Sequence, residues 1–424
     1  MTFSEIVRKM NPNIKLAFGY SILQSFGRGI WMSNVLSAYI FFLTSESNKL
    51  LGWTSAATGI TMTIFVLPSG FLADRFRRDI LLRSAALAGL IGLLLIIIGN
   101  NIVYVFVALS LWGLYQALTR PSLEALIADS LESGTRTKIY SWLHLARQIS
   151  SAIGPFFNIF LFLVFGNEWE LSILKNVMIL GMSFSALSII LLFLFSDKKS
   201  LGKESESIPE ELTQKEIKRN GVGLPLSAEK AMKLIPILLV VSNVIIGFGA
   251  GMTIKFFPIF FLKQYELPPI SVQIIMGLTA IFTGLSALLA QKYSLKKGRA
   301  EALFLFQLIA TICLFVIAIY PPLYILIPIF IARGSLMNAG QPLSRSILMD
   351  VVNKKNRAKW NSLEAIAWGL FWNVSAVIGG YLVGDVEPYN FRLNFLVTGG
   401  IYILGLIPII FLIPLVGKER IADK

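Results

Sequence analysis

Three basic side chains stand where so apolar a sequence has little ordinary use for them. Arg28 lies between Gly27 and Gly29 in one long apolar stretch, Lys255 in a second and Arg333 in a third. An ionised group removed from water is costly unless it meets a partner or a wet cavity. A guanidinium presents a planar fork of donors that fits a carboxylate or phosphate, which an ammonium cannot copy. The chemistry open to these residues is therefore capture of a small anion. The two glycines beside Arg28 also let a neighbouring backbone come close. Asn338, Gln341 and Asn373 offer hydrogen bonds at comparable depth, whereas Gln307 reads as peripheral. Trp31, and Trp368 with Trp372 four residues apart on one helix face, suit either packing or a cavity wall. Glu124, His144 and Glu364 are the titratable groups that could couple protons.

Much other chemistry is excluded. Cys313 is the single cysteine and His144 the single histidine, so no disulfide framework, Cys/His zinc site or Cys–His dyad is available. The sequence contains no Walker loop and no G-x-S-x-G turn. These absences argue against an enzyme, and no cofactor or metal is implied.

The elements that position these residues follow from composition. Of 424 residues 55% are apolar and only 15% charged, with a mean hydropathy of +0.71. Apolar runs of this length are read as transmembrane helices. Twelve are predicted, TM1 to TM12, at 16–43, 54–73, 80–99, 102–129, 139–165, 175–195, 234–262, 270–291, 301–319, 323–350, 361–384 and 393–416. Several exceed the roughly 20 residues a bilayer core needs, which predicts tilt or kinks. A polar N-terminal stretch without a small-residue cleavage site argues against a removed signal peptide. Among 38 Lys and Arg, six lie well inside spans, away from the span-end residues Arg83 and Lys175: Arg28, Arg120, Arg147, Lys255, Arg333 and Arg345. Only Lys49, Lys175, Lys263 and Arg392 fall on the side opposite the N-terminus. The positive-inside bias puts both termini in the cytoplasm. The +14 charge is thereby spread as topology signals, not gathered into a nucleic-acid patch. Residues 196–233 are the one long polar stretch, and they divide the chain into an N-terminal six-helix half, 1–195, and a C-terminal half, 234–424.

The halves repeat. At an offset near 221, Pro121, Asp129, Arg136 and Ser141 meet Pro342, Asp350, Arg357 and Ser362. Phe26-Gly27-Arg28-Gly29 answers Phe248-Gly249-Ala250-Gly251, and Ala152-Ile153-Gly154-Pro155 answers Val377-Ile378-Gly379-Gly380. Glu124 and Arg345 occupy equivalent positions and could neutralise each other.

Two six-helix halves joined by an inner linker resemble the major facilitator superfamily. After TM2 the chain reads Gly70-Phe71-Leu72-Ala73-Asp74-Arg75-Phe76-Arg77-Arg78, against the family's G-x-L-a-D-r-x-G-r. Gly70, Leu72, Ala73, Asp74, Arg75 and Arg78 fit, and Arg77 replaces the second glycine. The second-half copy has decayed to Ala290-Gln291-Lys292-Tyr293. The resemblance implies a twelve-helix, all-α secondary transporter with a central cavity lined by TM1, TM4, TM7 and TM10. It also implies a latch of inner charges, here Asp74, Arg75, Arg78, Asp129 and Arg136 with the second-half partners Asp350 and Arg357. Trp112 stands where the family's proton-coupled exporters carry an arginine. A TM1/TM7 cation pair, Arg28 with Lys255, resembles the family's organophosphate and anion porters.

The expectation is a monomeric alternating-access transporter of a small anion held by Arg28 and Arg333, joined by Lys255 if that side chain faces the cavity and does not snorkel outward. Proton coupling is left open; the expected location is the cell membrane, with an organelle membrane as the alternative. An exporter of amphipathic compounds and a non-transporting receptor or scaffold are the alternatives.

Overall fold

The computed structural model describes residues 10–32, 34–131, 136–201, 228–351 and 354–416. Side chains at 73–75, 136–138, 141, 228–233, 349–350 and 354–368 lie outside that description. Among the described residues all regular structure is helical. The helices are α1 (Pro12–Trp31), α2 (Asn34–Leu43), α3 (Asn48–Arg75), α4 (Arg78–Ile98), α5 (Ile102–Asp129), α6 (Arg136–Phe165) and α7 (Leu171–Leu191). There follow α8 (Ala228–Ile254), α9 (Phe257–Tyr265), α10 (Pro269–Lys297), α11 (Arg299–Ala318), α12 (Leu323–Ala339), α13 (Gln341–Val351), α14 (Lys354–Val383) and α15 (Phe391–Leu412). Ten spans are long and apolar enough to cross a membrane by themselves. The remaining two are TM1, split into α1 and α2, and TM11, which is α14. The twelve-helix, all-α layout holds.

The described residues fall into two compact units, one within Met1–Glu216 and Pro268–Gln273, the other within Ile217–Leu267 and Ile274–Lys424. In the first, α1 packs on α6 and α7, and α5 on α3 and α4. In the second, α8 packs on α14 and α15, and α11 on α12 and α15. Large apolar side chains such as Leu67, Leu163 and Leu288 remain exposed, as lipid-facing positions must be where the solvent is hydrocarbon.

Three predicted spans are interrupted. TM1 breaks between Trp31 and Asn34, and TM7 between Ile254 and Phe257, at equivalent points of the repeat. The TM7 break has a local cause: Pro258 opens α9 and cannot continue the hydrogen-bond ladder to Ile254. TM10 breaks at Gly340. A break frees backbone carbonyls, which in hydrocarbon need new donors. Asparagine side chains supply them. Phe256 N–H turns to the Thr253 carbonyl, 3.0 Å, and Asn394 Nδ2 takes the released Met252 carbonyl at 2.9 Å. At the equivalent carbonyl of Ile30, Asn158 Nδ2 donates at 3.0 Å.

Candidate functional site

The glycines around Arg28 do what their spacing suggests. Residues 27, 28 and 29 leave a helix about 100° apart, so the two glycines face opposite flanks of the arginine. A Cβ on Gly27 would stand 2.7 Å from the Gly181 carbonyl of α7, and one on Gly29 2.7 Å from the Ser151 carbonyl of α6. Two helices thus close on the flanks of α1 and leave the third direction to Arg28, whose side chain is exposed at mid-span. Arg120, Tyr115 and Tyr20 are its electrostatic neighbours, and Arg147 joins them around Tyr20. The Tyr20 and Tyr115 hydroxyls share a 2.6 Å hydrogen bond in the core. Arg147 Nε donates to Ser21 Oγ at 3.1 Å. No carboxylate among the described residues forms an ion pair with Arg28, Arg120 or Arg147. Glu124 lies exposed one turn from Arg120 on α5, and His144 is exposed on α6.

Trp31 is not on an open surface. It is fully buried, donates from Nε1 to Ser185 Oγ at 3.0 Å, and meets Trp112 edge to face at 5.1 Å. Trp112 is likewise a core ring.

In the second unit Arg333 is only 4% exposed. Its Nη2 donates to the Tyr402 hydroxyl at 2.9 Å, and its guanidinium stands 4.9 Å from the centre of Phe257 and 5.8 Å from that of Tyr402. Desolvated cation–π contacts of this kind contribute about 2 kcal/mol or more. Arg333 lines a small cavity together with Asn338, Gln341 and Trp372. Ala250, the counterpart of Arg28, lines it too. Gln341 Nε2 donates to Asn338 Oδ1, and Asn338 Nδ2 to the Gly334 carbonyl, both at 2.9 Å. Lys255 is half-buried at the α8/α9 break; the lining includes its neighbour Ile254 but not Lys255. Asn373 lies outside the lining and donates to the Gly369 carbonyl at 2.7 Å.

Gln307, expected to be peripheral, faces this cavity. The reason is local packing: Gly340, at the TM10 break, has no side chain and seats Leu303, one turn before Gln307 on α11. Tyr402, Phe257, Tyr20 and Tyr115 were also missed. Sequence periodicity gives the face of a helix, but nothing in it tells which ring from a distant span fills that face.

At the end of the first unit where α3 and α5 finish and α4 begins, two expected latch residues meet: the Arg78 guanidinium pairs with the Asp129 carboxylate. Asp197, at the start of the linker, caps the first turn of α4 by accepting from the Arg78 N–H at 2.5 Å. Leu201 N–H donates to the Asp129 carbonyl at 2.8 Å, and Asn13 Nδ2 to the Ser196 carbonyl at 3.0 Å. Next to this cluster, hydrogen bonding to the Asp79 carboxylate pushes the Arg77 guanidinium above its ordinary pKa. Gly70 lies on α3 with open space where a Cβ would stand. The side chains of Asp74, Arg75, Arg136, Asp350, Arg357, Glu364 and Trp368 lie outside the described residues.

Comparison with known proteins now gives the family. The sequence profile of the Major Facilitator Superfamily matches residues 17–332 and 239–424. A Na(+), Li(+), K(+)/H(+) antiporter of Planococcus maritimus is 29% identical over 148 residues, 34% of this chain and 35% of that protein. The uncharacterized MFS-type transporter YdeE of Escherichia coli (strain K12) is 31% identical over 137 residues, 32% of this chain and 34% of that protein. The matches to these curated relatives thus span about a third of their length. The crystal structure of nucleoside transporter NupG superposes with a TM-score of 0.69 at 14% identity, covering 94% of this chain and 98% of that one. With twelve helical spans, two six-helix sequence repeats and a family match from residue 17 to the C-terminus, the chain belongs to the Major Facilitator Superfamily of membrane transporters.

Proposed function

We propose that this transporter moves a small anionic solute by alternating access, with both termini and the 196–233 linker in the cytoplasm. The observation that carries the reading is the set Arg28, Arg120 and Arg147 around one tyrosine pair, with no carboxylate paired to any of the three among the described residues. Like charges gathered in a span raise one another's cost, and an arriving anion offsets it. Arg28 and Arg333 are the primary binding residues of the two units, with Lys255, Asn338, Gln341, Trp372 and Asn373 in support; Trp31, buried in the core, braces the packing behind α1 instead of touching solute. Glu124, His144 and Glu364 are the candidates for proton coupling. Asp74, Arg75, Arg78, Asp129, Arg136, Asp350 and Arg357, with Gly70, form the latch.

The test is ligand binding to purified protein across anions, with neutral and cationic compounds as controls. Arg28→Ala should weaken anion binding by about 100-fold, the scale of a lost charged hydrogen bond and ion contact. Arg28→Lys keeps the charge but loses the fork, and should still weaken it by about 10-fold. The name of the Planococcus relative supplies the rival reading, exchange of alkali cations for protons. Cation-driven proton flux that persists in Arg28→Ala, with no anion binding to wild type, would establish that rival instead.

A further inference from the structure

Two residues that line this cavity, Arg333 and Gln307, each hold a buried polar atom without a protein partner. Arg333 Nε, a donor, and Gln307 Oε1, an acceptor, make no hydrogen bond, and the residues are 4% and 6% exposed. The polar groups around them are engaged: Asn338 and Gln341 bond as described, and Asn243 Nδ2 donates to Ser344 Oγ. An orphaned buried acceptor is unfavourable until something donates to it. An anion without a donor, such as nitrate or a plain carboxylate, satisfies Arg333 and leaves Gln307 stranded. The rest of the lining includes Ile246, Ile254, Met337 and Trp372, apolar surface suited to a carbon skeleton.

We propose that the solute is a hydroxylated organic anion, its negative group on Arg333 and its hydroxyl donating to Gln307, which makes Gln307 the specificity residue. This deepens the anion reading and rests on it. A hydroxy acid and a hydroxylated phosphate ester share the chemistry, so both belong in the test.

Calorimetric binding to the purified full-length protein would use matched pairs: lactate with propionate, and glycerol 3-phosphate with propyl phosphate. Glycerol serves as the neutral control. Wild type should prefer the hydroxylated member of at least one pair by about 10-fold or more, because a site built for a hydroxyl rejects the analogue that lacks it. Gln307→Met should weaken the hydroxylated member alone and abolish the preference. Equal affinities within both pairs in wild type overturn the proposal without recourse to a variant, and so does a preference that survives Gln307→Met. Binding of glycerol that depends on Gln307, with no anion bound, keeps the hydroxyl contact and removes the anion. Binding of none of the five removes both.

Discussion

The first helix of each unit carries the same local device with opposite contents. In α1, Gly27 and Gly29 are clamped by neighbours and the residue between them is Arg28. In α8, Gly249 lies against Tyr402 and Gly251 against the Trp372 carbonyl, and the residue between them is Ala250. The outward direction is the same by helix geometry, and in the second unit it leads into the cavity that Ala250 lines. One unit therefore fills the position with charge, and the other leaves it empty and brings its cation from Arg333 on α12. The cations also differ in how they are stabilised. Arg28 stays exposed among other arginines, whereas Arg333 is buried between rings. A duplicated scaffold has thus kept its backbone contacts and divided the polar work between its copies.

The helix breaks sharpen the contrast and give the largest expected effect. Asn394 holds the Met252 and Gly379 carbonyls and accepts from Thr253, while Asn158 holds the Ile30 carbonyl with a weaker contact to Gln273. Asn394→Leu strands the buried Met252 carbonyl and also removes the bonds to Gly379 and Thr253, and should destabilise the purified protein by about 2–5 kcal/mol. Its thermal midpoint should fall well below that of Asn158→Leu, for which the expected loss is about 1–2 kcal/mol. Equal shifts would mean that the two breaks are held alike. Next in size is Tyr402→Phe, which removes the acceptor of a buried guanidinium at about 1–3 kcal/mol. Combined with Arg333→Met the losses should be less than additive, since the second change removes the group left unpaired. Tyr20→Phe deletes one neutral hydrogen bond in the first unit, and about 0.5–1.5 kcal/mol should register in a denaturation midpoint. The smallest effect belongs to Asp197→Asn. It weakens a helix cap on α4 whose charge contributes about 0.3–1 kcal/mol, so the midpoint should fall slightly in low salt and less in high salt.

What could be read in advance follows the range over which sequence acts. The spans, the repeat and the Gly-x-Gly clamps are local patterns, and the loop signature after TM2 pointed to the family. The TM7 irregularity was announced by Gly249, Gly251 and Pro258, while TM1 breaks at the equivalent place with no proline near it. Gln307 was misjudged because its direction depends on how closely α11 approaches α12, which Gly340 and Leu303 decide together. The Arg333–Tyr402 bond joins residues 69 apart, and the Tyr20–Tyr115 bond residues 95 apart. Neither pairing leaves a trace in the pattern of either helix alone.

The linker's first residues have a consequence for biosynthesis. Ser196, Lys199 and Leu201 bind Asn13, Asn11 and Asp129, and Asp197 caps α4, so contacts at the beginning of the chain await a segment made some 180 residues later. The first unit can insert its helices one after another, yet this rim is complete only once residue 201 has left the ribosome. A truncation that stops at the end of α7 would therefore yield spans without the fastening that ties first to last. The polar stretch that looks like a tether to the next unit begins as the closing piece of the previous one.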